Sequence, residues 1–326
     1  MQTITAIILT YNEELHIARC IKSIENAVDD IVIVDCYSSD KTVEIVSQFP
    51  KVRVFQHKWL NYATQFNWGL ENCHIQSDWI WRIDADEYID DELGRNVRNT
   101  IDTVEEDISG IYVKRKIVFM GKALMHGTWY PRWNLKVFKR GIGECENRWM
   151  DEHIKLTSGN TVQVEGNQID DNLNSLTWWT EKHNSYATRE MVDMLCMEYG
   201  IGTSNEVQAK LLGTSEQRLR WLKIRYLKLP FFLRPFINFI YRYIFRLGFL
   251  DGKQGFIWHF LQGFWYRFLV DAKIWELKNT SPLTHTSPLT PLLEERGKER
   301  GKERRKDKKE AERERIVAWL REKYGM

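Results

Sequence analysis

The sequence predicts an α/β fold built on a parallel sheet, with a basic, aromatic helical segment behind it. Three observations carry that reading. Strand-like and helix-like runs alternate from Thr3 to Asp84, which is the pattern of βαβ units. Three of the strand-like runs end in polar or acidic clusters, the positions where open parallel sheets bind ligands. The charge is also segregated: residues 1–217 hold 22 Lys+Arg against 33 Asp+Glu, whereas residues 218–270 hold 10 against 1.

Thr3 to Thr10 is a short β-rich apolar run, followed by a helix from about Glu13 to Glu25 in which Ile17, Cys20, Ile21 and Ile24 recur at helical spacing. Ile31 to Asp35 is again strand-like. Ser38, Ser39 and Asp40 offer N-cap oxygens to a helix over about Lys41 to Gln48, and Pro50 separates it from a third strand, Val52 to Phe55. A helix over about Tyr62 to Cys73 leads into a fourth strand, Trp79 to Asp84, which ends in Asp84-Ala85-Asp86-Glu87. Further strands are expected at Ile111 to Phe119 and Leu135 to Lys139, with the aromatic loop Trp129 to Trp133 between them, and residues 174–199 read as helical.

The chain of 326 residues is long enough for about two domains, and 43% apolar with 28% charged residues excludes a wholly disordered or fibrous protein. Five scattered cysteines (Cys20, Cys36, Cys73, Cys145, Cys196), none in a CxxC pair, suggest neither a disulfide framework nor a zinc knuckle. The first residues lack a basic leader, so a cytoplasmic setting is expected.

Residues 218–270 carry seventeen Phe, Trp or Tyr, but Arg234, Arg242, Arg246 and Arg267 interrupt the run, and the charge-free stretch from Gln254 to Tyr266 is shorter than the roughly 20 residues of a spanning helix. A pair of helices lying in the headgroup region fits this composition; a packed helical subdomain with a solvated basic face is the alternative. After Thr280, two SPLT units make a low-complexity linker. Glu294 to Arg315 is almost wholly charged and reads as a solvated helix or disordered tail. A nucleic-acid partner is disfavoured by the acidic body.

Two carboxylates one residue apart at a strand end, Asp84 and Asp86, suit a divalent cation that keeps open positions for phosphate oxygens. Together with TAIILTYNEE (Thr5 to Glu14) and VDCYSSDKT (Val34 to Thr42), WIWRIDADEYID (Trp79 to Asp90) resembles the motifs of family 2 glycosyltransferases with the GT-A fold, and most of all the lipopolysaccharide-core and exopolysaccharide β-glucosyltransferase branch. The resemblance covers residues 1 to about 275. It implies a nucleotide-sugar donor, commonly uridine-linked, held by Thr10, Tyr11, Glu13 and Asp35, with Asp84 near the ribose or the metal's hydration shell. Asp86 would ligate Mn²⁺ or Mg²⁺ bridging the diphosphate. Cys36 stands where many members carry a second acid.

An inverting transfer also needs a general base. Asp151 and Glu152, in a segment where related enzymes carry it, are the candidates; Glu152 is preferred, and Asp151 stays open because adjacent strand residues face opposite ways. His153 would ligate the metal or orient the base, or be a structural histidine. Gln65 and Asn67 are candidates for donor contact. Trp129, Tyr130 and Trp133 offer a stacking wall for an acceptor sugar, with Arg132 reaching a phosphate or acidic sugar. Lys182, His183, Asn184 and Tyr186 could shape the acceptor site.

The resulting division is a GT-A catalytic domain over 1–217, a membrane-associating region over 218–278, and a linker with a charged tail over 279–326. The expected function is metal-dependent transfer of a sugar to a lipid-linked saccharide by a protein peripheral or monotopic on the cytoplasmic face of the inner membrane. A transferase acting on polyprenyl phosphate and a catalytically silent nucleotide-binding scaffold are the alternatives.

Overall fold

The computed structural model describes residues 1–146, 152–201, 210, 212–213, 215–279 and 301–324. Four parallel strands open the sheet, β1 (Ile4–Thr10), β2 (Asp30–Asp35), β3 (Val52–Gln56) and β4 (Trp79–Asp84), in the spatial order β3-β2-β1-β4; nearly every side chain of β1, β2 and β4 is buried, whereas the edge strand β3 is half-buried. Burial on both faces follows from helices packing on both. Ile4, Ala6 and Ile8 face one core with Ile17, Cys20, Ile21 and Ile24 of α1 (Ile17–Ile24), while Ile7 faces the other with Ala63 and Phe66 of α3 (Tyr62–Asn72). This is the two-residue alternation of a strand. Between them lies α2 (Thr42–Val46), where Asp40 takes the Thr42 N–H at 2.9 Å. The Ser38 hydroxyl, an expected cap, turns to Asp35 instead.

Beyond β4 the sheet becomes mixed. β5 (Glu87–Ile89) and α4 (Asp91–Thr103) precede β6 (Ile108–Phe119), which pairs with the short β7 (Lys122–Ala123) and with β8 (Arg132–Lys139). The order continues β4-β8-β6-β11-β5, with β11 spanning Asn160–Asp171, while β9 (Gly143–Cys145) and β10 (Ile154–Leu156) form a separate hairpin. The strand expected from Leu135 thus begins at Arg132 and takes in Trp133.

Ser175 caps α5 (Leu176–Tyr199), accepting the Trp178 N–H. The basic segment folds into α6 (Ser215–Leu227), α7 (Leu233–Ile240) with a π-helical turn over Tyr241–Phe245, and α8 (Gly252–Trp258), which runs through a second π-helical turn into α9 (Tyr266–Asn279). Two of its cations are answered by carboxylates: Arg234 Nε donates to Asp271 Oδ1 at 2.8 Å, and Lys223 pairs with Glu190 at 2.8 Å and Asp193 at 3.2 Å. Ala187, Met191, Val192 and Leu195 of α5 share a core with Val270 and Ile274 of α9, so the expected boundary at residue 217 runs alongside a helix packed against the following region.

Of the two readings expected for Glu294 to Arg315, a solvated helix or a disordered tail, the structure has a helix from Gly301 onward, which buries apolar side chains beyond Arg315. Gly301–Tyr324 is a helix, α10, whose Ile316 and Leu320 are fully buried in that same core. Both residues lie just beyond the charged run, which is why that run gave no sign of burial. Among the described residues no helix is long and apolar enough to cross a membrane. Phe236, Ile240, Ile244, Phe245, Phe249 and Phe256 nevertheless stand between 44 and 72% exposed on α7, α8 and the segment joining them.

Candidate active site

Strand register brings the polar strand ends together: Thr10 lies opposite Asp35, and Leu9 opposite Asp84. They open onto a crevice of about 2220 Å³. A site for one drug-sized ligand occupies roughly 300–1,000 Å³, so this one has room for two substrates. Its floor comes from β1, β4 and β8, and its far wall from α5 and the helices after residue 217.

At the first strand end, Thr10 Oγ1 donates to Asp35 Oδ1 at 3.0 Å, and the Ser38 N–H donates to Asp35 Oδ2 at 2.9 Å. Asp35 is fully buried by these contacts and does not line the crevice, whereas Cys36 and Tyr37 do. Asn12, in the left-handed region at φ 55°, accepts from the Ser39 N–H at 2.8 Å and holds the two loops in register. Tyr11 is left 60% exposed at the rim. Glu13 accepts from His16 Nδ1 at 2.7 Å, and His16 Nε2 accepts the Leu173 N–H at 2.9 Å. The second contact fixes the proton on Nδ1 and ties the β1 loop to the loop after β11.

Asp84 accepts from the Tyr62 hydroxyl and from Lys136 Nζ at 3.4 Å. Burial alone would push its carboxyl up, but Lys136, Arg82 and the Tyr62 bond outweigh burial and hold it well below the usual carboxylate range. Next to it Glu87, 1% exposed, accepts from Lys136 Nζ at 3.1 Å, from the Asp84 N–H at 3.1 Å and from Gln168. This buried carboxylate organises the Asp84-Ala85-Asp86 turn. Asp86 accepts from Asn172 Nδ2 at 3.0 Å through Oδ2, and its Oδ1 accepts no hydrogen bond from the described residues.

Opposite lies Glu152, 3.6 Å from Arg82, an arginine that also donates to the Tyr62 hydroxyl at 3.0 Å and stacks over that ring at 4.2 Å. One guanidinium therefore touches the supports of both carboxylate centres. On the β11 side, Asp170 is pushed up to about 6 by burial against the pull of Arg115, with Asp86 and Glu87 adding to the rise.

Thr10, Tyr11, Glu13, Gln65, Asp84, Asp86, Glu152, His153, Trp129, Arg132 and Trp133 all line the crevice. Asp151 lies outside the described residues. Among the described residues no three His, Cys, Asp or Glu side chains gather closely enough to hold a metal, so Asp84, Asp86 and His153 do not form a ready-made ligand set. Gln65, 1% exposed, turns its amide to His57, and Asn67 Nδ2 donates to the Cys145 carbonyl at 2.9 Å. Tyr130 departs from the expected stacking wall, because its hydroxyl donates to Asn167 Oδ1 at 2.9 Å and the ring is not part of the crevice lining. Trp129 is 8% exposed and packs edge-on against Trp258 at 5.3 Å. Lys182, His183 and Tyr186 line the crevice, with His183 stacked on Trp179; Asn184 does not line it.

Arg82, Lys136 and Glu87 are the residues that sequence reasoning missed. The one available signal was Arg82 and Glu87 flanking the paired aspartates, since a charge inside an otherwise apolar strand needs a partner.

Residues 5–153 match the family described as Glycosyl transferase family 2. The chain is 28% identical over 278 residues to the lipopolysaccharide core biosynthesis glycosyltransferase LpsC of Rhizobium meliloti (strain 1021), covering 84% of this chain and 92% of that one. It is 42% identical over 93 residues to an uncharacterized glycosyltransferase of Rickettsia felis, covering 28% of this chain and 32% of the other. This and two similar Rickettsia matches span about a third to two fifths of those relatives' length. Among solved structures, S. aureus TarS 1-349 is similar at 17% identity and a TM-score of 0.42, covering 87% of this chain and 86% of that one.

Proposed function

The chain belongs to the family 2 glycosyltransferases, and on that premise we propose that it transfers one sugar, with inversion, from a uridine-linked nucleotide-sugar to a lipid-linked saccharide of lipopolysaccharide core or exopolysaccharide synthesis. The observation that carries the reading is the convergence of Asp86 and Glu152, from segments far apart in sequence, on one crevice large enough for both substrates.

Tyr11, Glu13 and the Cys36-Tyr37 turn receive the nucleoside, and Asp35 acts from beneath by holding Thr10 and Ser38 in place. The open carboxylate edge on Asp86 would hold a Mn²⁺ or Mg²⁺ ion. When bound, such a cation supplies Lewis-acid stabilisation of the departing nucleoside diphosphate. Asp84, already engaged by Tyr62 and Lys136, positions the turn. Glu152 takes the proton of the acceptor hydroxyl, and its ion pair with Arg82 orients it.

The acceptor reading rests on the overall similarity to LpsC and on the exposed apolar band of α7, α8 and the segment joining them. Phe236, Ile240, Phe245 and Phe249 stand out of the fold beside Arg246 and Lys253. Rings in the acyl boundary and cations on anionic headgroups would hold the protein on a membrane surface without spanning it.

The test is a thermal-shift comparison of UDP, GDP, CDP and dTDP, each with and without Mn²⁺, on the intact chain and on Asp86→Asn. A ligand at about 100 times its Kd stabilises by about 2.7 kcal/mol. A metal-dependent shift with UDP that vanishes in Asp86→Asn is the expected result; no shift with any nucleotide, from folded protein, would sink the proposal.

A further inference from the structure

The helical wall of the crevice treats its cations unequally. Arg234 has Asp271, Lys223 has Glu190 and Asp193, and Arg267 reaches Glu190 at 3.4 Å. Arg242, on the π-helical turn after α7, also lines the crevice, yet no carboxylate of the described residues pairs with it. Its guanidinium lies over the Trp129 ring at 4.5 Å. Burial and the neighbouring charges of Arg267 and Arg132 push Arg242 down to about 9. Clustered like charges beside a low-dielectric wall are costly unless an anion joins them.

Three hydrogen-bond donors of the crevice lining also lack acceptors among the described residues. The indole N–H groups of Trp129 and Trp258, in side chains each 8% exposed, have no partner among the described residues, and neither does the Tyr226 hydroxyl. All three residues line the same crevice as Arg242. A guanidinium fork matches the paired oxygens of a phosphate or carboxylate, and an indole face suits a sugar ring.

We propose that Arg242, with Arg132 and the Trp129-Trp258 wall, forms a subsite for the oxyanion of an acidic acceptor saccharide, either a phosphate ester or a sugar carboxylate. The assignment rests on the transferase reading of this crevice and deepens it, because the helical region then selects the acceptor while the strand ends hold the donor.

The experiment measures binding of glucose 6-phosphate, glucuronate, glucose and inorganic phosphate to the full chain in metal-free buffer by calorimetry. It uses the wild type, Arg242→Gln and Arg242→Lys, with thermal melts establishing that each variant is folded and the UDP plus Mn²⁺ shift recorded on the same preparations. At least one acidic sugar is expected to bind tenfold or more tightly than glucose. Arg242→Gln should erase that preference and Arg242→Lys retain part of it, with the UDP shift unchanged in all three. A glucose 6-phosphate preference identifies a phosphate ester, a glucuronate preference a carboxylate, and either supports the subsite.

The proposal is overturned if Arg242→Gln keeps the wild-type preference, if the wild type prefers neither acid to glucose, or if inorganic phosphate binds as tightly as glucose 6-phosphate. Loss of the UDP shift with the acid preference intact would instead overturn the transferase premise, so the two failures are distinguishable.

Discussion

Replacing Lys136 by methionine tests the account of the acidic turn most directly. Its ammonium, in a side chain 7% exposed, is the cation between Glu87 at 3.1 Å and Asp84 at 3.4 Å, and the Glu87 side chain is 1% exposed. Methionine keeps much of the volume but leaves two carboxylates facing each other in a low-dielectric turn with only Arg115 and Arg82 nearby. Breaking a buried ion pair from one side costs about 3–5 kcal/mol. With unfolding entropy of roughly 2 cal/mol/K per residue, a chain of this length shifts by about 1.5 °C per kcal/mol, so the midpoint should fall by about 4–7 °C at pH 7.

The loss should shrink with acid. In the wild type the depressed Asp84 carboxyl contributes stability above its unfolded value of 3.8 that disappears as pH falls through its lower folded value. In the mutant, acid neutralises the facing carboxylates and the repulsion disappears. The assay is a set of thermal melts from pH 7 to pH 4, with Glu87→Gln/Lys136→Met as the second arm, which should recover most of the loss. A single mutant within about 1.5 °C of wild type at pH 7, equivalent to about 1 kcal/mol, would refute the reasoning.

Glu152→Gln should lower kcat by about 10²–10⁴-fold while leaving nucleotide affinity unchanged, read by nucleoside diphosphate release; a mutant within threefold of wild type would remove Glu152 as the base. Asp86→Asn should abolish turnover and the metal-dependent thermal shift while its melting point in the absence of ligand stays near wild type. His259 is fully buried, both its ring nitrogens lack a partner among the described residues, and burial together with Arg242 pushes it down to about 4. The unfolded chain therefore protonates first, and stability present above about pH 6.5 is lost as pH falls towards 4, by up to about 3 kcal/mol. His259→Leu should flatten that acid limb in melts taken across the range. Gly127 sits at φ +69°, where an added Cβ would lie 2.0 Å from His259 Cε1, so Gly127→Ala should cost about 2–4 kcal/mol in chemical denaturation.

The strands β1, β2 and β4 and the loops at their ends could be read from the sequence because their signals are local: apolar runs, punctuation by polar residues, and helical spacing between. Asp86 was singled out from its place at a strand end and Glu152 from the family resemblance, and both line the crevice. What escaped depends on partners distant along the chain. Lys136 meets Glu87 only because the antiparallel β8 docks on β4, and no local pattern announces that pairing. Tyr130 looked like a wall residue until Asn167, on β11, offered its hydroxyl an acceptor. Asp35 reads as a ligand contact, yet its neighbours Thr10 and Ser38 consume its oxygens. Ile316 and Leu320 were hidden by the charged run before them, and only the groove between α5 and α9 gives them a destination.

The helical wall meets the sheet through an aromatic knot, with Trp258 5.1 Å from Phe119, 5.3 Å from Trp129 and 6.0 Å from Trp179. Contacts of this kind are broad and tolerant of small shifts, unlike the hydrogen-bonded turn around Asp86. A seam so built lends itself to recombination: helices of a different relative could be grafted behind Trp179 with the knot retained. Such a hybrid would keep the polar strand ends on one side of the crevice while replacing its far wall, so that one half of the site could change without disturbing the other.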